Sequence, residues 1–174
     1  ENLKSIEDLN QLIIASVKER GIGLFNKYVY ADALDSNTNV VYLTPGEIGM
    51  PDRDYYVSDD NDSKEKLALY EQHIVRMLQF INYNETDAKA AAKKIVALET
   101  QMAQPRFTRV EERDDRLAYN PTTIEEKKKT TTSINWETYF KSAGFQNLDK
   151  VIVQQPKYMK ALDQILKTSS IEDL

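Results

Sequence analysis

Ser5 and Asp8 stand ahead of Leu9, Leu12, Ile13 and the Ser16-Val17 pair. A capping serine followed by apolar positions three and four apart predicts an amphipathic helix, ending near Gly21. Over residues 21–57 the helical period is absent, and Asn39-Val40-Val41-Tyr42-Leu43 before Pro45-Gly46 predicts a short strand entering a turn. Asp62 and Glu65 read as a capping box for a helix whose inward stripe is Leu67, Tyr70, Ile74, Met77, Leu78 and Ile81. Another helix follows residues 84–86, with Ala88, Ala91, Ala92, Ile95, Leu98, Glu99 and Met102 inward as far as Pro105; its small residues predict a close helix crossing. Thr123 and Glu126 cap a shorter helix that runs into Lys127-Lys128-Lys129, where cations in the last turn suit the helix dipole. Residues 135–143 predict a further helix stopped by Gly144, and Pro156 takes the first position of one reaching Leu166. Val151-Ile152-Val153 is an apolar run too short to assign by its period. The expected fold is mainly α, with one or two short strands near residues 39–43 and 151–154.

Composition narrows the function classes. Lys plus Arg is 23 and Asp plus Glu is 28, a net charge of 23 − 28 = −5 with both signs interspersed, and no basic stripe suits a phosphate backbone. No run of 18 apolar residues encodes a membrane span. The absence of cysteine rules out disulfides, thiolate catalysis and Cys-ligated zinc. At 174 residues the chain suffices for one domain with a sizeable core or for a piece of something larger, and no linker or composition break divides it. It opens on Glu1-Asn2 without an initiator Met or a signal-type apolar region, and Ser169-Ser170-Ile171-Glu172 reads as a helix start near the last residues. Both features are expected of an excised part of a longer polypeptide.

Candidate chemistry is sparse. The one histidine, His73, lies in Glu71-Gln72-His73-Ile74, whereas a helical zinc motif needs two histidines four apart with a glutamate between them. Asp59-Asp60-Asn61-Asp62-Ser63 has calcium-like alternation, but Lys64 and Tyr70 occupy the sixth and twelfth positions where an EF-hand needs Gly and Glu; a solvated loop feeding a helix cap is expected. Glu111-Glu112-Arg113-Asp114-Asp115-Arg116 reads as a surface salt-bridge network, no G-x-S-x-G elbow serves the histidine, and no glycine-rich loop cradles phosphate. The lysine triplet is expected to be solvated.

The stretch "GEIGMPDRDYY", residues 46–56, is the most information-dense. Gly46 and Gly49 would permit positive φ, Pro51 fixes a bend, and Arg53 between Asp52 and Asp54 could bridge carboxylates and backbone as a bidentate fork. Tyr55 and Tyr56 supply rings whose hydroxyls reach partners at a core edge. No nucleophile or base accompanies them, so a self-locked scaffold loop is expected.

Asp35-Ser36-Asn37-Thr38-Asn39-Val40-Val41-Tyr42-Leu43, then Gly49-Met50-Pro51-Asp52-Arg53-Asp54-Tyr55-Tyr56, resembles the hallmark stretch of the neprilysin family of zinc metalloendopeptidases, which includes neprilysin, endothelin-converting enzyme and bacterial endopeptidase O. Further similarity follows in order at Leu98-Glu99, Arg113-Asp114, Tyr119-Asn120-Pro121-Thr122, Ile134-Asn135-Trp136, Val151-Ile152-Val153 and Pro156-Lys157-Tyr158, covering essentially the whole chain. Glu47 departs from the family's usual small residue, and Lys127-Lys128-Lys129 occupies a segment that is usually leucine-rich. The resemblance implies a helical cap domain that joins a thermolysin-like catalytic domain to enclose a cavity for oligopeptides. The family's His-Glu-x-x-His helix and downstream glutamate lie outside this chain, so the resemblance assigns it no catalytic and no metal residue. Zinc and the activated water would belong to the rest of the parent.

The structural-motif residues expected from this reading are Gly49, Pro51, Asp52, Arg53, Asp54, Tyr55, Tyr56, Tyr119, Asn120, Pro121 and Trp136. Residues 1–174 are expected to form one segment of the cap, inactive alone, with the parent's catalytic domain and oligopeptides as partners and no nucleic acid or membrane span. The expected location is extracytoplasmic (periplasmic, secreted or a membrane-anchored ectodomain) in a bacterium. The alternative is a stand-alone helical module that binds a peptide or protein in a groove.

Overall fold

The computed structural model describes residues 3–18 and 23–174. Glu1-Asn2 and the expected helix stop at Gly21 lie outside the described residues. In chain order the elements are α1 (Ile6–Ala15), β1 (Phe25–Asp32), β2 (Asp35–Pro45), α2 (Asp54–Val57), α3 (Asn61–Phe80), α4 (Glu85–Ala103), α5 (Asp115–Ala118), β3 (Pro121–Thr123), α6 (Ile124–Thr130), α7 (Trp136–Ser142), β4 (Lys150–Val153) and α8 (Pro156–Thr168). The fold is mainly α with one small sheet, and it separates into two compact units, Glu1–Glu47 with Phe107–Glu172, and Ile48–Arg106 with Asp173–Leu174.

In the first unit the sheet runs β1-β2-β4-β3, with β1/β2 and β3/β4 antiparallel and β2/β4 parallel. The apolar run Val151-Ile152-Val153 is the reason for the central position of β4: all three side chains are buried, opposite Val41, Tyr42 and Leu43. The strand expected at 39–43 is the inner part of the longer β2. β1 and β3 were not expected. β1 is an edge strand that leaves Tyr28, Val29 and Tyr30 exposed and so lacks a clean apolar alternation, while β3 is three residues defined only by pairing with β4.

Helices close the first unit. Ser5 caps α1 by accepting from Asp8 N–H at 3.1 Å, and α1 buries Leu9, Asn10 and Ile13. Asn10 is a buried clamp: its amide donates to Ser133 O at 2.7 Å and its oxygen accepts from Asn135 N–H at 3.0 Å. Thr123 and Glu126 form the expected capping box of α6, and Asn135 caps α7, which ends before Gly144 at φ +89°. Pro156 opens α8, whose inward face buries Tyr158, Met159, Leu162, Ile165 and Leu166, each contributing about 1.5–3 kcal/mol by leaving water. α8 continues to Thr168 and stops at extended Ser169; the helix start read at residues 169–172 is occupied by this stop and a turn.

The second unit is an α3–α4 helical hairpin preceded by α2. Ile74, Ala92 and Val96 form its core with Leu67, Tyr70, Val75, Leu78 and Ile95 against them. Ala88 and Ala92 are fully buried, which fits the close approach their size permits. The cap of α3 differs from the expected Asp62–Glu65 box: Asp60 is the cap, accepting from Ser63 N–H at 2.8 Å, while Asp62 sits in the first turn and pairs with Lys66. Asp60 wins because its extended backbone and short side chain reach the third amide of the helix. The packed face continues through residues 67, 70, 74 and 78, so Met77 and Ile81, expected inward, lie on its flank and are exposed.

Candidate functional site

The 46–56 stretch is divided between the units after Glu47. Neither Gly46 nor Gly49 has positive φ, which corrects the conformational role expected for them. Their requirement is steric. A Cβ at Gly46 would lie 1.6 Å from the Gly23 carbonyl oxygen, and one at Gly49 would lie 1.7 Å from the Tyr70 hydroxyl.

Gly49 leads to the centre of the site, the carboxylate of Glu99 on α4. Oε1 accepts from Gly49 N–H at 3.0 Å and from the Tyr70 hydroxyl of α3 at 3.1 Å. Oε2 accepts from the Tyr56 hydroxyl of α2 at 2.8 Å, and that hydroxyl oxygen accepts in turn from Met50 N–H at 2.9 Å. One carboxylate therefore holds the loop, α2 and both hairpin helices. Burial, and then the charge of Glu99, push the Tyr70 phenol up to about 12. Tyr56 is raised further, first by burial and also by its bond to Glu99.

The rest of the loop is bound locally. Asp52 Oδ1 accepts from Asp54 N–H at 2.8 Å, closing the turn into α2. Arg53 donates from Nη1 to Asp54 Oδ1 at 3.0 Å and from Nη2 to Gln104 O at 3.4 Å, so the expected bridge between carboxylate and backbone uses one carboxylate, Asp54, and the backbone at the end of α4. Lys66 Nζ stands 5.6 Å from the centroid of the Tyr55 ring, and Pro51 is exposed.

The remaining motif residues belong to the first unit. The Tyr119 hydroxyl donates to buried Asp32 at 2.7 Å, and the same carboxylate takes Leu34 N–H at 3.0 Å and Lys150 Nζ at 3.1 Å. The Leu34 amide, then Tyr119 and Lys150, hold Asp32 below the usual carboxylate range. The Asn120 carbonyl accepts from Val153 N–H at 2.9 Å, and Pro121 pairs opposite Ile152 where β3 needs no donor. Trp136 is fully buried among Phe25, Tyr139 and Phe140 and donates from Nε1 to Thr131 O at 2.9 Å.

Trp136 exposes one misreading. Lys127, expected to be solvated with its two neighbours, is 2% exposed, with Nζ 4.6 Å from the centroid of the Trp136 ring. Burial pulls its amine down to about 7, partly opposed by the Asp163 carboxylate. α6 turns its first lysine inward, while Lys128 stays outside between Glu125 and Glu137.

His73 is on the exposed face of α3, and among the described residues no three His, Cys, Asp or Glu side chains gather as a metal site. Asp59 and Asp62 face separate lysines, and Arg116 grips Asp114 through two bonds at 2.8 and 2.7 Å. Among the described residues no helix is long and apolar enough to cross a membrane.

The bonds found for these motif residues run within the chain itself. A sequence model of peptidase family M13, N-terminal domain, matches residues 1–174, and the chain belongs to that family. Endothelin-converting enzyme 1 of Homo sapiens is 25% identical over 170 residues, covering 95% of this chain and 22% of that protein. Neprilysin-3 of Drosophila melanogaster is 25% identical over 157 residues, covering 86% of this chain and 20% of its own length. The crystal structure of the Mycobacterium tuberculosis zinc metalloprotease Zmp1 with an inhibitor superposes with a TM-score of 0.87 at 28% identity, over 98% of this chain and 26% of that one. The chain spans about a fifth to a quarter of the length of these relatives.

Proposed function

We propose that this chain is the N-terminal, non-catalytic cap segment of a neprilysin-like zinc metalloendopeptidase, walling the cavity in which the whole enzyme cleaves oligopeptides and restricting their size. What carries the reading is a family match along all 174 residues in a chain with one histidine. Its partner is the catalytic domain of the same polypeptide, which holds the zinc and the chemistry. The whole enzyme acts outside the cytoplasm, and a cysteine-free segment suits a bacterial source. Residues 1–174 serve as one segment of the cap. The Glu99 hub supports this role, because a wall that excludes large substrates has to resist opening, and four pieces of the second unit meet on one charge.

The test uses the full polypeptide that carries this segment. Cleavage rates are measured on a ladder of peptides of increasing length and on a folded protein, for the wild type and for Glu99→Ala. The expected result is a rise in the long-to-short rate ratio with zinc content unchanged. An unchanged ratio in a variant shown to be loosened by hydrogen exchange refutes the size-restricting role. Tight peptide binding by the 174-residue chain alone, read by calorimetry, would instead make it a free-standing binding module.

A further inference from the structure

We propose that Lys127 is a covalent binding site for a small carbonyl compound bearing a carboxylate, a 2-oxo acid or its aldehyde equivalent, taken up in the cavity beside α6. The cavity is about 210 Å³ and is lined by Lys127 together with Thr122, Thr131, Val153, Pro156 and Met159, with Lys160 also on its wall. Lys127 is almost completely buried, and its Nζ stands against the face of the Trp136 ring. A lysine buried on a cavity wall, its amine set against a ring face, is placed to take a ligand that can bond to it.

The surroundings choose the ligand. Threonine hydroxyl protons are already committed, Thr122 to Asn120 O and Thr131 to Lys127 O, so they offer lone pairs and not donors to a guest. Val153, Pro156 and Met159 contribute apolar wall. The charged groups around the amine are Asp163 and Lys160 of α8, while Lys128 is neutralised by Glu125 and Glu137. Asp163 is itself held by Lys167 at 2.6 Å and Ser133 N–H at 2.7 Å, which leaves Lys160 as the cation for an incoming carboxylate. Burial holds the amine near 7, so about half of it is free base at neutral pH, the state in which desolvated lysines react with carbonyls. The nitrogen lone pair attacks the carbonyl carbon, and the π electrons move to oxygen. The resulting carbinolamine then loses water, both amine protons leaving with that oxygen as the C=N bond forms. No oxidant or reductant is needed.

The 174-residue protein is incubated at pH 7 with glyoxylate and sodium cyanoborohydride, which reduces the imine to a stable carboxymethyl amine, and labelled lysines are mapped by peptide mass spectrometry. The expected result is labelling at Lys127 at least about tenfold faster than at exposed lysines such as Lys64 and Lys89, because only a free amine attacks a carbonyl and burial lowers the Lys127 amine. The preference should vanish in urea. Lys160→Ala should slow glyoxylate at Lys127 severalfold and leave propionaldehyde, which has no carboxylate, unaffected. Label confined to exposed lysines in the folded protein overturns the proposal, and so does equal slowing of both aldehydes by Lys160→Ala.

Discussion

Replacing Glu99 with glutamine keeps the shape of the hub and removes its charge. The amide oxygen can still take Gly49 N–H and the Tyr70 hydroxyl, as neutral bonds of roughly half the strength of charge-assisted ones. The amide nitrogen then faces the Tyr56 hydroxyl, whose oxygen already accepts from Met50 N–H. That hydroxyl proton loses its acceptor in a buried place, a loss of about 1–3 kcal/mol. The Gly49 bond lies towards solvent and adds little, so Glu99→Gln should destabilise the protein by about 2–3 kcal/mol. For a chain of this size that is a fall in Tm of roughly 4–12 °C. The assay is urea unfolding followed by circular dichroism, with Tyr56→Phe alone and combined with Glu99→Gln. Coupling of about 1 kcal/mol or more is expected, since each change removes the other's partner. The Tyr70 phenol, followed by its ultraviolet absorbance, should titrate lower in the variant because one cause of its elevation is gone. A Glu99→Gln protein within about 0.5 kcal/mol of wild type, with additive double mutants, would refute the hub.

Lys127→Met should change the pH dependence of stability. The unfolded chain holds the lysine proton to 10.5 and the folded one releases it near 7, so between these values the unfolded state binds more protons and wild-type stability rises with pH. The rise is about 1.4 kcal/mol per unit, on the order of 2 kcal/mol from pH 7 to 9; urea unfolding should show it in the wild type and a flat profile in the variant. Gly49→Ala should displace the Tyr70 ring and cost about 2 kcal/mol, an effect that shrinks when Tyr70 is also changed to Leu; equal cost in both backgrounds would contradict the clash. Arg53→Ala should cost about 1–2 kcal/mol by thermal melting and leave the zinc content of the full polypeptide unaltered. Unchanged stability with lost peptide binding would make the loop a contact surface.

Local chemistry along the chain determined most helix starts. Ser5, Asn84, Thr123, Asn135 and Pro156 act within three or four residues of themselves, so their roles are written in short windows. The same windows placed Glu99 on the inward side of α4, but its donors come from residues 29, 43 and 50 positions away, and only folding brings them to one carboxylate. β1 and β3 depended on the strands beside them, because pairing energy is non-local and an edge strand need not alternate. Gly46 and Gly49 show the division at its sharpest. Sequence determined that glycine was needed there, and the tertiary structure decided why: Gly23 and Tyr70, distant in the chain, occupy the space a Cβ would take. Lys127 went the other way, since a charge run reads as solvent-facing until a helix rotates one member of it under a tryptophan.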